Sequence, residues 1–167
     1  VSGKTGAGVI DVLEAVVNLF PAPKGDEQAP LEALIFDSWF NIYQGVVILV
    51  RVMNGTLRVG QKIRLMSNGR EFEVLQLGVY TPKPIALNSI TAGEVGFVIA
   101  GVKEVRDAQV GDTVTSVDNP CQEPLAGFRK AKSMVFSGIY PIQSNQYELL
   151  KESMGKLKLN DAAFQYE

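Results

Sequence analysis

The sequence predicts a mainly β protein in which one small antiparallel barrel is flanked by a helix and by a short α+β unit. Residues 45–53 form a nine-residue run with four valines, an isoleucine and a leucine, too short and too β-branched for a helix. The dipeptide Asn54-Gly55 follows directly and predicts a two-residue hairpin turn with positive φ at both positions. Residues 62–66 then alternate charged and apolar side chains, as a strand with one solvated face does. Strands joined by tight turns at this spacing are typical of a barrel.

Composition limits the classes of function. The chain has 167 residues, 46% of them hydrophobic, which suits a globular protein with a real core. Its net charge of −2 gives no overall attraction to nucleic acid, so such contact would require a local basic patch. The single cysteine, Cys121, cannot form an intramolecular disulfide, and no run reaches the roughly 18 apolar residues of a membrane span. A reducing, cytoplasm-like compartment is predicted.

The chain contains no histidine. Histidine is the commonest general base and the commonest zinc ligand, so its absence removes most nucleophilic and metal-assisted hydrolysis from consideration. The carboxylates are scattered through turns and alternating strands, where a solvated structural role is usual. We therefore predict no catalytic residue and no metal site within this chain.

The first segment of the chain is predicted to be a glycine-rich loop followed by a helix. Apolar residues recur at helical spacing at Ile10, Leu13, Val16, Val17 and Phe20. The preceding Gly3-Lys4-Thr5 has the ending of a phosphate-binding loop, but that loop needs another glycine five residues before the Gly-Lys pair. An enzyme in which Lys4 and Thr5 bind phosphate is thus the weakest hypothesis. Because the chain lacks an initiator methionine and a signal peptide, we expect both ends to be cut.

Two breaker-rich segments divide the rest of the chain. Residues 21–30 hold three prolines and a glycine and predict a linker, and residues 118–127 predict a second one. Between them, strands are predicted at 31–38, 45–53, 62–66, 71–80, 94–101 and 113–117. With no helical period among them, these strands close most economically as an antiparallel barrel.

A second unit is predicted after the barrel. It has a strand at 134–136, a helix capped by Ser144, and a strand at 162–166. The predicted apolar stripe of the helix is Tyr147, Leu150, Met154 and Leu157. Strand, helix and strand in about 35 residues form a βαβ piece whose sheet is incomplete, so it should belong to a larger domain.

Several runs resemble one family. The phrases IFDSW (35–39), MVFSGIYP (134–141) and LNDA (159–162) resemble the LepA family of translation factors, also called elongation factor four. The spacing G-x-L-x-x-G-x-x-I from Gly55 and the V-G-D-T from Val110 resemble translational GTPases in general. The resemblance spans nearly the whole chain.

The resemblance implies a domain organisation and a function. Residues 1–23 would end a GTP-binding domain, 24–30 would be a linker, 31–117 the translation-factor β-barrel called domain II, 118–131 a linker, and 132–167 the first half of a ferredoxin-like third domain. The full-length protein would be a GTPase that uses GTP and Mg and affects elongation fidelity or back-translocation. This segment lacks the family's phosphate loop, switch regions, Asn-Lys-x-Asp motif and catalytic histidine, so by itself it is expected not to be an enzyme.

The resemblance also implies site residues. Ser2, Gly3 and Lys4 match the family's Ser-Ala-Lys motif at the guanine base, with glycine in place of alanine. The barrel would dock on small-subunit ribosomal RNA, and its densest basic group supplies the candidate contacts Arg58, Lys62, Arg64 and Arg70. An ordinary solvated strand face is the alternative explanation for these four. A second basic group is Arg129, Lys130 and Lys132.

The implied partners are the ribosome and, through domains outside this chain, tRNA. A monomer without bound metal is expected, in a bacterial cytoplasm, with peripheral association at the cytoplasmic face of the cell membrane and organellar origin left open. Two alternatives remain at this stage. One is another translational GTPase, of the elongation factor G or BipA type. The other is a free-standing barrel that binds a ligand or protein through Trp39, Phe40 and Tyr43, although core packing explains these aromatics equally well.

Overall fold

The structure is a computed structural model that describes residues 1–102, 107–127, 135–160 and 164–166. Its helices are α1 (Val9–Leu19) and α2 (Tyr147–Asn160), with a 3-10 turn at Ser144–Gln146. Its strands are β1 (Glu32–Asn41), β2 (Gly45–Asn54), β3 (Thr56–Arg58), β4 (Lys62–Leu65), β5 (Glu71–Glu73), β6 (Gln76–Tyr80), β7 (Pro84–Leu87), β8 (Ser89–Thr91), β9 (Val95–Ile99) and β10 (Thr113–Ser116).

Two antiparallel sheets share one hydrophobic core. The larger has the strand order β5-β4-β10-β1-β2-β9-β6-β7, and the smaller pairs β3 with β8. Leu57 of β3 and Ile90 of β8 are fully buried and belong to the same core cluster as Ile48 of β2 and Leu77 of β6. The small sheet therefore covers the core that the large sheet curves around, which confirms the predicted mainly β barrel with a flanking helix.

The run that predicted a central strand is the central strand. β2 pairs with β1 on one side and β9 on the other, so its backbone groups are bonded along both edges. Val46, Ile48, Val50 and Val52 face the core and are at most 1% exposed. A strand that is paired on both edges and has one face toward the core buries every second side chain. Branched aliphatic residues suit these positions.

A β-bulge at Phe36 changes the phase of β1. Ile35 pairs with Val50 and Asp37 with Leu49, which leaves Phe36 as the extra residue. Strict alternation from the buried Ile35 would turn Asp37 toward the core, whereas the bulge exposes Asp37 and buries Ser38. Ser38 Oγ then donates a 3.0 Å hydrogen bond to the carbonyl oxygen of Ala108, so the buried hydroxyl is satisfied.

The prediction of a two-residue hairpin at Asn54-Gly55 is wrong. Only Gly55 has positive φ (77°), and β3 pairs with β8 rather than folding back onto β2. A Cβ on Gly55 would lie 2.7 Å from Leu31 Cα, so the glycine is required by close backbone approach as well as by φ. The chain turns here to change sheets.

Three short strands were not predicted, and one predicted strand is divided. The segment predicted at 71–80 forms β5 and β6, separated at residues 74–75. β3, β7 and β8 have three or four residues each, too few for a periodic pattern. β7 also begins with Pro84 and lies at the edge of the large sheet, which is where a residue without an N–H is tolerated in a strand.

Residues 135–160 are mainly helical. α2 extends to Asn160 and lies against β1. Ser144 does not cap α2 but begins the 3-10 turn, whose N-cap is Gln143 without a side-chain bond. The described parts of the two predicted flanking strands, 135–136 and 164–166, are not strands, because no described strand lies beside them to pair with. Residues 134 and 161–163 lie outside the described residues.

α1 has no buried residue among its eleven. The predicted helix is confirmed. Its apolar residues are exposed to solvent: Ile10 is 67% exposed, and Phe20, just past the end of the helix, is 73% exposed. Within the ranges given above, no helix is both long and apolar enough to cross a membrane.

Candidate nucleic-acid interface

The four predicted basic contacts lie on β3, on β4 and in the turn before β5. Lys62 and Arg64 are two residues apart on β4, so their side chains share the outer face of that strand, while Ile63 between them is buried. Arg58 is exposed at the end of β3, and Arg70 is exposed in the turn between β4 and β5. The fold thus places Lys62 and Arg64 on one face of β4, with Arg58 before this strand and Arg70 after it.

The outer face of β4 is not uniformly positive. Arg64 Nη2 and Nε both donate to Glu71 Oε1, at 2.7 and 3.1 Å. Lys62 lies directly opposite Glu73 in the register of β4 and β5. Cross-strand pairs of opposite charge stabilise a sheet locally and cancel much of its field at a distance. β4 and β5 therefore present a ladder of alternating charge.

Arg70 is engaged in a different contact. Its Nη1 donates to Asp107 Oδ2, and Asn68 Nδ2 donates 2.9 Å to the Asp107 carbonyl oxygen. The Asp107 side chain is 11% exposed and that of Arg70 is 56% exposed. The pair holds the turn between β4 and β5 against the segment that leads to β10.

Arg58 and Lys62 are the two candidates with the greatest capacity for phosphate. Within the described part of the chain, no carboxylate approaches either of them to ion-pair distance. Their side chains are exposed, and although Glu73 faces Lys62 across the β4–β5 pair, neither cation has an ion pair that a phosphate must displace. The second predicted basic group, Arg129, Lys130 and Lys132, lies outside the described residues.

A buried carboxylate beside this region is structural. Asp112 Oδ1 accepts from the backbone N–H of Ser67 (2.9 Å) and of Thr113 (2.7 Å), and its Oδ2 accepts from Ser67 Oγ (2.6 Å). The aspartate of the V-G-D-T motif therefore bonds the turn after β4 to the start of β10. With three hydrogen bonds satisfied inside the fold, it has no evident role toward a ligand.

Residues 2–8 form a compact loop before α1. The Ser2 N–H donates 2.9 Å to the Ala7 carbonyl oxygen, and the Gly6 N–H donates 2.9 Å to the Ser2 carbonyl oxygen. Ser2 Oγ accepts from the Thr5 N–H at 3.3 Å. A Cβ added to Gly3 would meet nothing within 4 Å, and Lys4 is exposed. The open backbone at Gly3 leaves room for the edge of a planar base.

A protein site for a magnesium ion needs several oxygen ligands close together. Among the described residues, no group of three or more potential ligand side chains lies close enough together to hold a metal ion.

The structure separates the three aromatic residues that were predicted as a contact patch. Trp39 and Phe40 are neighbours on a strand and face opposite sides, Phe40 against the main core and Trp39 against Val47 on the outer face. Tyr43 lies in the turn between β1 and β2 and is 89% exposed. The three side chains therefore do not form one surface, and core packing accounts for Phe40.

A different aromatic group covers the outer face of the large sheet. The ring centroids of Trp39 and Tyr80 are 6.4 Å apart, and those of Tyr80 and Phe97 are 5.1 Å apart. Phe97 is only 3% exposed. A Cβ on Gly78 would lie 2.0 Å from the Ile85 carbonyl oxygen and 2.8 Å from the Phe97 ring, so the glycine allows the close approach of both. No local sequence pattern indicates this group, because its members come from three separate strands.

The comparisons with known proteins agree with this architecture. Residues 45–115 match the family model of elongation factor Tu domain 2, which together with the sheet order defines a translation-factor β-barrel. Elongation factor 4 from Solibacter usitatus (strain Ellin6076) is 54% identical over 166 residues, 99% of this chain. The chain belongs to the elongation factor 4 family of translation factors, as its LepA-like motifs predicted. This family is favoured over both alternatives, a factor of the elongation factor G or BipA type and a free-standing binding module. It spans 28% of the length of that relative.

Proposed function

We propose that this chain is the central, non-catalytic portion of a ribosome-binding translational GTPase of the elongation factor 4 type. The observation that carries the proposal is the 54% identity over 99% of the chain to an elongation factor 4. In this proposal residues 1–23 end the GTP-binding domain, 31–117 are the barrel domain, and 132–167 begin the third domain. The intervening segments 24–30 and 118–131 connect them.

The barrel's role is to dock and to transmit, and the chemistry lies elsewhere. Ser2, Gly3 and Lys4 contact the guanine base, because Gly3 offers open backbone and Lys4 an exposed side chain next to it. GTP supplies the hydrolysable phosphate and Mg its counter-charge, both held by residues outside this chain. What these three residues contribute is recognition of the base and not a reaction step.

The barrel contacts small-subunit ribosomal RNA through its basic residues. Arg58 and Lys62 carry most of this contact, since Arg64 and Arg70 already have carboxylate partners. The protein acts as a monomer in the cytoplasm and reaches tRNA through other domains. The peripheral membrane association left open by the sequence has no support among the described residues.

Two measurements test the proposal. The first is equilibrium binding of labelled GTP to the 167-residue chain, with Lys4→Ala as the matched variant. No detectable binding is expected, because one base-contacting loop cannot replace phosphate and metal contacts. Lys4-dependent GTP binding by the chain alone would instead favour the enzyme hypothesis.

The second measurement uses the longer protein. It should hydrolyse GTP, and hydrolysis should be stimulated by ribosomes. The same protein lacking residues 31–117 should lose ribosome stimulation while keeping the affinity for GTP of its isolated GTP-binding domain. Stimulation that persists without the barrel would contradict the docking role.

A further inference from the structure

We infer that Asn54 is a positioning residue that holds residues 23–31, here named the strap, against the barrel. Asn54 ends β2. Its Oδ1 accepts a hydrogen bond from the Asp26 N–H at 3.1 Å, and its Nδ2 donates to Glu32 Oε2 at 2.7 Å. One side chain thus bonds the middle of the strap and the first residue of β1, although the sequence of the strap predicts a free linker.

The strap is also bonded through its own backbone. The Gly55 N–H donates 2.8 Å to the Asp26 carbonyl oxygen. Asp26 Oδ1 accepts from the Gln28 N–H at 2.9 Å, and the Ala29 N–H donates 3.3 Å to the Asp26 carbonyl oxygen. The N–H, the carbonyl and the carboxylate of Asp26 all have partners, so this part of the strap is a defined turn.

Two glycines let the strap lie directly on the barrel. A Cβ on Gly25 would lie 2.4 Å from the Met53 carbonyl oxygen and 2.8 Å from the Ala92 Cβ. A Cβ on Gly93 would lie 2.8 Å from the Pro23 Cβ. Each glycine is on a different side of the contact, one in the strap and one in the turn before β9. A side chain at either position would push the strap away from the barrel.

The consequence is a short connection between the barrel and the helix before it. α1 ends at Leu19 and the strap begins at residue 23, so only residues 20–22 lie between them. A free linker over 24–30 would let the preceding unit move independently, whereas a bonded strap couples its movement to the end of β2. The strap itself is a property of this chain, and its role in transmission rests on the proposed function.

The strap is tested in the 167-residue chain by trypsin cleavage after Lys24 and by amide hydrogen exchange. The Lys24–Gly25 bond lies inside the strap, and proteases cleave segments that detach locally. In Asn54→Ala, cleavage at Lys24 and exchange at the Asp26 and Gly55 amides should both accelerate about tenfold, the effect of losing one or two ordinary hydrogen bonds. Gly25→Ala should have the same effect by steric displacement.

Asn68→Ala is the matched control. Asn68 also bonds a loop through both ends of its amide, accepting from the Arg70 N–H at 2.9 Å and donating to the Asp107 carbonyl oxygen. This variant should accelerate exchange at Arg70 and leave cleavage at Lys24 unchanged. Equal acceleration of the β2 amides in Asn54→Ala would show general destabilisation and would overturn the positioning role, as would rapid cleavage at Lys24 in the unmodified chain.

A last measurement separates the strap from the proposed function. In the longer protein, Asn54→Ala and Gly25→Ala should lower ribosome-stimulated GTP turnover several-fold at unchanged ribosome affinity. A detached strap with unchanged turnover would refute its role in transmission. Absence of any ribosome-stimulated turnover in the unmodified protein would instead refute the proposed function and leave the strap standing on its exchange data.

Discussion

Arg64 on β4 and Glu71 on β5 lie directly opposite each other, and Nη2 of the arginine is 2.7 Å from Oε1 of the glutamate. Both side chains are partly exposed, at 38% and 47%, so the pair contributes roughly 0–1 kcal/mol to stability. Its larger effect is electrostatic, because a guanidinium that is already neutralised adds little to the attraction of RNA. This relationship divides the four predicted RNA contacts into two pairs.

The four candidate RNA contacts should therefore contribute unequally to ribosome binding. Reversing the charge of Arg58 and Lys62 in the longer protein should weaken ribosome binding and reduce the slope of log affinity against log salt by up to about 0.9 for each lost duplex-phosphate contact. Alanine at Arg64 or Arg70 should change the slope less. Cosedimentation with ribosomes at several salt concentrations measures the slope.

Lys83→Glu is the control for that experiment. Lys83 is exposed in the turn between β6 and β7, at the opposite edge of the large sheet from β5, and its reversal should leave the slope unchanged. If reversal of all four candidates together leaves the slope unchanged, this face does not contact RNA. The group Arg129, Lys130 and Lys132 would then be the next to test.

Gly55 should be among the positions least tolerant of a side chain. Gly55→Ala should destabilise the barrel by about 2–5 kcal/mol, since it combines strain at positive φ with overlap onto Leu31 and Ala29. Gly60 has a similar φ of 80° but nothing within 4 Å of an added Cβ. Gly60→Ala should therefore cost only about 1–2 kcal/mol. Urea unfolding of both variants measures the difference, and equal losses would show that close approach at Gly55 is unimportant.

Removing the Asp112 carboxylate should also destabilise the barrel. Asp112→Ala leaves the Ser67 and Thr113 donors without their acceptor, and we expect a loss of about 2–4 kcal/mol in the free energy of unfolding. Asp118→Ala, at an exposed position, should stay within about 0.5 kcal/mol. Urea unfolding midpoints for the two variants would contradict this account if they shifted equally.

Hydrogen exchange should separate the barrel from its flanks. The amides of residues 46–52 should be among the slowest, because β2 is bonded on both edges and faces the core. Those of α1 should exchange with only local protection, since an eleven-residue helix with no buried side chain is marginal by itself. Uniformly slow exchange from residue 9 to residue 166 would show a single cooperative unit and would refute this division.

The sequence by itself determined the central strand, the barrel and the family. A run of β-branched residues such as 45–53 favours a buried strand, and its pattern is local. The helix α1 was readable for the same reason, because helical periodicity acts over a few positions. The family could be identified from short motifs, each of which is contiguous in the chain.

Only the tertiary structure decided how side chains far apart in sequence are paired. Asn54 bonds Asp26 across 28 positions, and Arg70 bonds Asp107 across 37. The contact from Asn54 makes a strap of the predicted linker. The pairing of β3 with β8 replaces the predicted hairpin by a change of sheet, and the pairing of β4 with β5 places Glu71 and Glu73 among the predicted basic residues. Local pattern indicates which segments form strands and helices. Burial and the partner of a polar group depend on which distant segment the fold places beside them, as the exposed apolar residues of α1 show.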